Sequence, residues 1–344
     1  MKSYLTTLVV LILSAALFAG VLFFYIFFPA SQTPQTVEIR VEQGDSFATV
    51  VRRLREQNII RHEIPFSLWA RVIGSEKKIQ PGLYRFELPL RPREALNQMV
   101  SGRGIFQRVT IPEGLTIKEV SDLLANMQVV NREKFLSQAR DPALLAQLGV
   151  DDKTVEGYLF PSTYQFIPET PEKEIIAAMV QQFRKAAAPL FEGHTSAVEL
   201  TPHQIVTLAS IIEKETGIES ERPLVSAVFH NRLKLKMPLQ SDPTVIYGLK
   251  NFDGNLTRKH VKEPSPYNTY VIAGLPPGPI CNPGLSSIKA ALAPADVPFL
   301  YFVSKNDGTH LFSATLDEHA RAVKMYQPPR EPAPARRKIE ARRG

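Results

Sequence analysis

Thr201-Pro202-His203-Gln204-Ile205-Val206-Thr207-Leu208-Ala209-Ser210-Ile211-Ile212-Glu213-Lys214-Glu215-Thr216-Gly217 reads as one complete helix, and the rest of the chain is organised around it. Thr201 suits the N-cap, Pro202 the first helical position, and Gln204 completes a Thr-x-x-Gln capping box. Gly217 supplies the stop. Ile205, Leu208, Ala209 and Ile212 recur at i, i+3, i+4 and i+7, so that face is expected to be buried. Glu213 continues the same column at the C-terminal end. An apolar seat and the negative end of the helix dipole both favour the neutral acid over the carboxylate, and a protonated carboxyl near neutral pH is what a general acid requires. The competing reading of Glu213-Lys214-Glu215 is a solvated helix end. Glu215 is rotated well away from Glu213, which points it to solvent.

The 344 residues allow two or three domains, and 44% hydrophobic with 22% charged residues is the balance of a folded protein. Residues 4–28 are almost wholly apolar and uncharged, long enough to cross a bilayer as a helix. Lys2 precedes them and no Lys or Arg follows until Arg40, so the positive-inside rule leaves residues 1–3 in the cytoplasm and carries the rest across. A cleaved signal peptide is the competitor; the length of the run and Phe28, which spoils a small-x-small site ending at Ala30, favour an uncleaved anchor. The single Cys281 cannot form an intrachain disulfide. There is no Cys/His cluster with metal-ligand spacing and no phosphate-binding Gly loop. The formal charge is +7, of which residues 327–344 carry +4, six Arg/Lys against Glu331 and Glu340. This Pro- and Ala-rich tail is expected to be disordered. It is a solvated tail or a contact for anionic lipid or wall polymer, and its place after an exported domain argues against nucleic acid.

After a linker over 29–36, residues 37–104 read as a compact α+β module. It has a strand over 37–41, a helix capped by Ser46, a helix over 64–72, a strand over 79–86 and a short helix over 93–100. The larger domain, 105–326, opens on a strand over 107–111, a turn at Pro112-Glu113-Gly114 and a helix capped by Thr116, with further helix up to 148. Glu156-Gly157-Tyr158-Leu159-Phe160-Pro161 interrupts, too aromatic for a casual loop. Helices follow over 172–190 and, capped by Ser220, through Val225, Val228, Phe229 and Leu233. Residues 239–247, 264–270 and 274–284 are then loops dense in Pro, Gly, Asn and Tyr, of the kind that carry function. A hairpin joins strands over 299–303 and 310–313 across Asn306-Asp307-Gly308, and a helix over 318–325 closes the fold. The class is α+β: a transmembrane helix, a small module and a larger mixed catalytic domain.

Ile211-Ile212-Glu213-Lys214-Glu215-Thr216, Leu239-Gln240-Ser241-Asp242-Pro243-Thr244-Val245-Ile246-Tyr247, Pro266-Tyr267-Asn268-Thr269-Tyr270, Gly274-Leu275-Pro276-Pro277-Gly278-Pro279-Ile280, Asn282-Pro283-Gly284 and the 156–161 segment together resemble the endolytic murein transglycosylase (YceG-like) family. The 37–102 segment resembles that family's LysM-like module. Cys281, where a small or aliphatic residue is expected, and the basic tail depart from the pattern. The resemblance implies a single-pass bacterial inner-membrane lyase facing the periplasm. It would cut nascent peptidoglycan strands between N-acetylmuramic acid and N-acetylglucosamine, leave 1,6-anhydro ends and so terminate elongation. It places the catalytic Glu on Glu213 and implies no metal or organic cofactor. The partners implied are glycan strands, inner-membrane lipid and, as protein candidates, peptidoglycan synthases.

Such chemistry needs one carboxyl where ordinary glycosidases need two. The Glu protonates the glycosidic oxygen, then takes the proton of the sugar's own C6 hydroxyl as that oxygen closes on the anomeric carbon. Gln240, Asp242 and Asn268 are candidates to hydrogen-bond N-acetyl and hydroxyl groups, and Tyr247, Tyr267 and Tyr270 to stack on sugar faces. Against these stand bland roles: Asp242 before Pro243 as a turn initiator, and any one Tyr as core packing. Two rival functions remain. One is a non-catalytic wall-binding scaffold of the synthetic machinery. The other is a pyridoxal-phosphate lyase, disfavoured because Lys214 points elsewhere than Glu213 and no phosphate cradle exists.

Overall fold

The computed structural model describes residues 2–192 and 199–327. Apart from Gln327, the basic tail expected to be disordered lies outside the described residues. The chain divides into two compact units, residues 1–109 with 164–170, and residues 110–163 with 171–344.

The first unit begins with helix α1 (Lys2–Phe27), whose 4–27 stretch is long and apolar enough to cross a membrane and is almost wholly unburied. Strand β1 (Gln35–Val41) follows, then α2 (Phe47–Glu56), α3 (Glu63–Val72), β2 (Gly82–Leu88), α4 (Pro92–Val100) and β3 (Gln107–Thr110). β1 and β2 are antiparallel, with Val37 opposite Phe86 and Ile39 opposite Tyr84. Strict alternation sends these four side chains to one face, where Val50, Val51, Leu54, Phe66, Leu96 and Met99 cover them. Ser46 caps α2 as expected, accepting from the Thr49 N–H. The expected strand over 79–86 is shifted to 82–88, because Pro81 has no N–H to give a ladder.

The second unit carries α5 (Ile117–Asn126), α6 (Arg132–Gln138) and α7 (Pro142–Gln147). Strand β4 (Thr163–Phe166) then pairs with β3 as a two-stranded sheet, so residues 164–170 fall in the first unit. The sequence expectation keeps the whole of 105–326 in the larger domain. α8 (Glu172–Phe191), α9 (Pro202–Glu215) and α10 (Arg222–Lys234) supply the core helices. α11 (Asp242–Gly248), α12 (Arg258–Lys262) and α13 (Leu285–Leu292) lie among the Pro/Gly loops. A hairpin of β5 (Tyr301–Ser304) and β6 (His310–Ser313) and a last helix α14 (Leu316–Tyr326) complete the unit. α8, α10, α11 and α13 surround α9.

α9 has the expected capping box, with the Thr201 side chain accepting from Gln204 N–H and Gln204 reaching back to the Thr201 N–H. Every residue from Ile205 to Ile212 is buried. The helix is therefore covered all round rather than on one stripe, as a central core helix must be. Its end differs from the expectation. Thr216, not Gly217, stops it by turning extended (φ −141°, ψ 134°), and the Thr216 hydroxyl accepts from the Ile218 N–H. Ser220 likewise does not cap α10; a single 3-10 turn over Glu219–Glu221 leads straight in. The expected loop at 239–247 contains α11, because Pro243 occupies a first-turn position where its missing N–H costs nothing.

Candidate active site

The C-terminal turn of α9 presents two carboxyls to two different surroundings. Glu213 extends the buried column and its side chain is only 7% exposed. Its surroundings are not the apolar ones expected from spacing. Arg222, at the start of α10, donates from Nη2 to Glu213 Oε1 at 3.2 Å, and the Gly284 N–H donates to Oε2 at 2.9 Å. Arg222 Nη2 also lies 3.8 Å from Glu113 Oε2, so one guanidinium is shared by two carboxyls. Burial, and then the neighbouring Glu213, push the Glu113 carboxyl upward against the pull of Arg222. Glu113 sits in the turn read from sequence as Pro-Glu-Gly punctuation, and its carboxyl lies against Gly284. A Cβ at Gly284 would come within 2.0 Å of Glu113 Oε1.

Glu215 does not face solvent, contrary to the sequence expectation. It points into a cavity of about 350 Å³ whose wall includes Arg232, Gln240, Asp242, Tyr270 and His319. The Ser241 hydroxyl donates to Glu215 Oε1 at 2.5 Å. Desolvation raises the Glu215 carboxyl to about 7, outweighing the Ser241 hydrogen bond, which works in the opposite direction. The cavity wall is itself fixed. Arg232 donates from Nη1 to the carbonyls of Pro238 and Leu239 and to Gln240 Oε1, and from Nε to the Leu300 carbonyl. Tyr270 donates to Asp242 Oδ1 at 2.6 Å. Gln240 is held at φ 54°, its N–H bonded to the Thr269 carbonyl, which leaves its side chain at the cavity mouth.

A third carboxyl, Glu156, lies beneath the loops. It is 4% exposed and accepts from the Ile117 N–H, from Asn282 Nδ2 and from the Tyr247 hydroxyl. Burial nonetheless pushes it up to about 8. Asn282 is the joint between this carboxyl and the surface loops. Its Oδ1 accepts from the Leu159 N–H, its N–H and Nδ2 reach the Leu115 carbonyl, and its own carbonyl accepts from the Gly114 N–H. Ile280 and Cys281 dock on α9 through Ser210, whose hydroxyl accepts from the Ile280 N–H and whose carbonyl accepts the Cys281 thiol. Cys281 is fully buried and fills the place of a small apolar residue.

Of the six residues read as sugar ligands, Gln240, Asp242 and Tyr270 line the Glu215 cavity. The other three have different work. Asn268 is buried, with Nδ2 bonded to the Val261 and Glu263 carbonyls and Oδ1 accepting from the Tyr270 N–H, so its amide is already consumed in stapling its loop. Tyr247 bonds Glu156, and its ring packs on Tyr267 with centroids 4.9 Å apart, both against the core. Sequence reading missed Glu113, Arg222, Ser241 and Arg232. Ser241 falls within the 239–247 motif, whereas Glu113 offers only a turn signal. Among the described residues no group of His, Cys, Asp and Glu is arranged to hold a metal ion.

Known proteins resemble this chain over most of its length. An endolytic murein transglycosylase of Bacillus subtilis is 32% identical over 307 residues, covering 85% of each chain. One from Streptococcus pneumoniae is 27% identical over 319 residues, covering 83% of this chain and 58% of its own length. The crystal structure of a YceG-like protein from Listeria monocytogenes superposes with a TM-score of 0.55 at 29% identity, covering 84% of this chain and all of that one. The YceG-like family matches residues 39–325, and the chain belongs to that family.

Proposed function

We propose that this protein is a peptidoglycan lytic transglycosylase and that Glu215 is its acid and base. The observation that carries the reading is the Glu215 carboxyl, raised to about 7, at the wall of a 350 Å³ cavity edged by Gln240, Asp242 and Tyr270. A cavity of that size suits a sugar unit, and that pKa lets the group hold a proton and recover it at neutral pH. In the first half-step Glu215 gives its proton to the oxygen linking N-acetylmuramic acid C1 to N-acetylglucosamine C4, and the C1–O bond breaks. In the second it takes the proton of the muramic C6 hydroxyl, whose oxygen bonds C1 and closes the 1,6-anhydro ring. No water is consumed, and Glu215 ends as it began. Ser241 fixes the carboxyl's rotamer. Gln240 and Asp242 are placed to hold N-acetyl and hydroxyl groups, and Tyr270 to offer a ring face.

The sequence candidate, Glu213, is the alternative. Both its oxygens already accept, one from Arg222 and one from Gly284, which suits a group that holds the start of α10 and the 282–284 segment together. Glu215→Gln should cost at least ~10²–10⁴-fold in release of 1,6-anhydro products from sacculi, the range for a general acid–base group. Glu213→Gln should lower both activity and melting temperature. Full activity in Glu215→Gln with a dead but stably folded Glu213→Gln would return the role to Glu213. No 1,6-anhydro product from the wild-type protein would leave a wall-binding scaffold.

The β-α-α-β order of the first unit supports the LysM-like reading, with that unit holding glycan while the second cuts. α1 is the membrane anchor, the remainder faces the periplasm, and peptidoglycan synthases are the protein partners this reading implies.

A further inference from the structure

α3 carries an apolar row that nothing among the described residues covers. Ile64 is 80% exposed, Leu68 41% and Val72 78%. At 100° per residue these three fall within one narrow arc, with Arg71 at its edge. Phe66 and Ala70, on the opposite side, are buried in the core. A stripe of this kind on a monomer usually marks an interaction surface.

What lies beside the row says what covers it. α3 starts at the outer end of α1. The Arg61 guanidinium lies over the Phe24 ring at 5.3 Å and donates from Nη2 to the Pro29 carbonyl at 3.0 Å. The His62 ring meets Tyr25 edge-on at 5.1 Å, and Arg93, in the first turn of α4, lies over Phe27 at 5.0 Å. A tyrosine such as Tyr25, with arginines beside it at the end of an apolar span, marks the headgroup level of a bilayer. Ile64 is two residues beyond His62, so the exposed row begins at that level and continues the apolar surface of α1. Arg61, Lys77 and Lys78 are exposed around α3, as is Arg71, which pairs with Glu76; the excess positive charge is what anionic headgroups attract.

We propose that the Ile64–Leu68–Val72 face of α3 is a lipid-docking surface that seats the first unit in the headgroup layer. It rests on the reading of α1 as a membrane anchor. The short helix lies in the interface with its apolar row about 5–10 Å deep, as amphipathic surface helices do. Residues 1–109 then ride on the bilayer instead of swinging from a flexible tether.

Trp69 is the only tryptophan; it lies on the same helix, half-buried against the core beside Phe66, and so reports how deeply α3 sits in the lipid. The test uses the full chain reconstituted in phosphatidylethanolamine–phosphatidylglycerol vesicles, with lipids brominated near the headgroup end of the chain as quenchers. Trp69 should lose part of its emission to the quenchers, and Ile64→Asp/Val72→Asp should restore it. Both substituted positions are exposed, and an unchanged melting temperature verifies the variant's fold. Alkaline extraction of the same samples reports on α1 separately. Chain that resists extraction but keeps full Trp69 emission overturns the docking face and leaves the anchor standing. Equal quenching in the Asp variant also overturns it, since α1 alone would then bring Trp69 to the lipid. Chain that is extracted, yet quenched only when Ile64 and Val72 are intact, refutes the anchor and upholds the face.

Discussion

Glu215 and Glu156 are both enclosed carboxyls with raised proton affinity, but only Glu215 faces space that a substrate can fill. For Glu215 the consequence is kinetic. With its proton held up to about 7, the protonated fraction falls as pH rises through that value. We expect kcat/KM for sacculus cleavage to decline above about pH 7, and in Ser241→Ala the decline should begin at higher pH, because the lost hydrogen bond favoured the charged form. A rate that rises through pH 7–8 would remove Glu215 as the acid. For Glu156 the consequence is stability. Its carboxyl is raised from 4.5 to about 8 by burial, so the folded state binds the proton more tightly than the unfolded chain. The group is neutral in both states below pH 4.5 and imposes a growing cost as pH rises towards 8, levelling off beyond. Glu156→Gln removes that cost while keeping the shape. Its melting temperature should gain on the wild type steadily from pH 5 to pH 8, and parallel curves would mean that the Ile117, Asn282 and Tyr247 donors fully repay the burial.

The 282–284 loop, between α9 and α13, is held from both sides, by Asn282 towards Glu156 and by the Gly284 N–H towards Glu213. Gly284 has an ordinary φ of −76°, so its need for glycine is one of space, not of backbone conformation. Gly284→Ala would drive a methyl into the Glu113 carboxyl, and overpacking of this kind costs about 1–3 kcal/mol. Adding Glu113→Ala should recover most of the loss. If the double variant is as unstable as the single one, the crowding is not with Glu113. The elements themselves were largely legible: the Thr201/Gln204 capping box, the β-hairpin across Asn306-Asp307-Gly308 and the helices of the first unit all lie near where spacing put them. The facing of Glu215 was not. Rotation about α9 says that Glu215 points away from Glu213, but only the fold says what stands there. Ser241 and Arg232 come from other segments, and because α9 is buried all round, away from one face does not mean towards water. The loop-stapling bonds of Asn268 were illegible for the same reason, since its partners are backbone carbonyls that no side-chain pattern reveals.

At the scale of the whole chain, on the proposed reading of α1 as an anchor, function depends on which side of the membrane the second unit occupies. The apolar stretch of α1 spans 24 residues, about 36 Å at 1.5 Å per residue, against roughly 30 Å of hydrocarbon, so it can cross with some tilt. Lys2 is the only basic side chain before the apolar run, and Arg40 is the first after it. The bias is small in number but unopposed, because no cation within the following ten residues argues for the reverse orientation. The arginines that meet the end of the span, Arg61 and Arg93, come from the folded first unit. Folded domains cross largely regardless of their charge, so these do not count against export. A phosphatase or lactamase reporter fused after Gly344 should therefore be active only outside the cytoplasm. Adding three lysines between Phe28 and Val37 should redirect part of the population, because it reverses the only bias present. Cytoplasmic activity of the unmodified fusion would place the cavity of Glu215 on the wrong side of the membrane for peptidoglycan. Insensitivity to the added lysines would mean that the orientation is set by something other than charge.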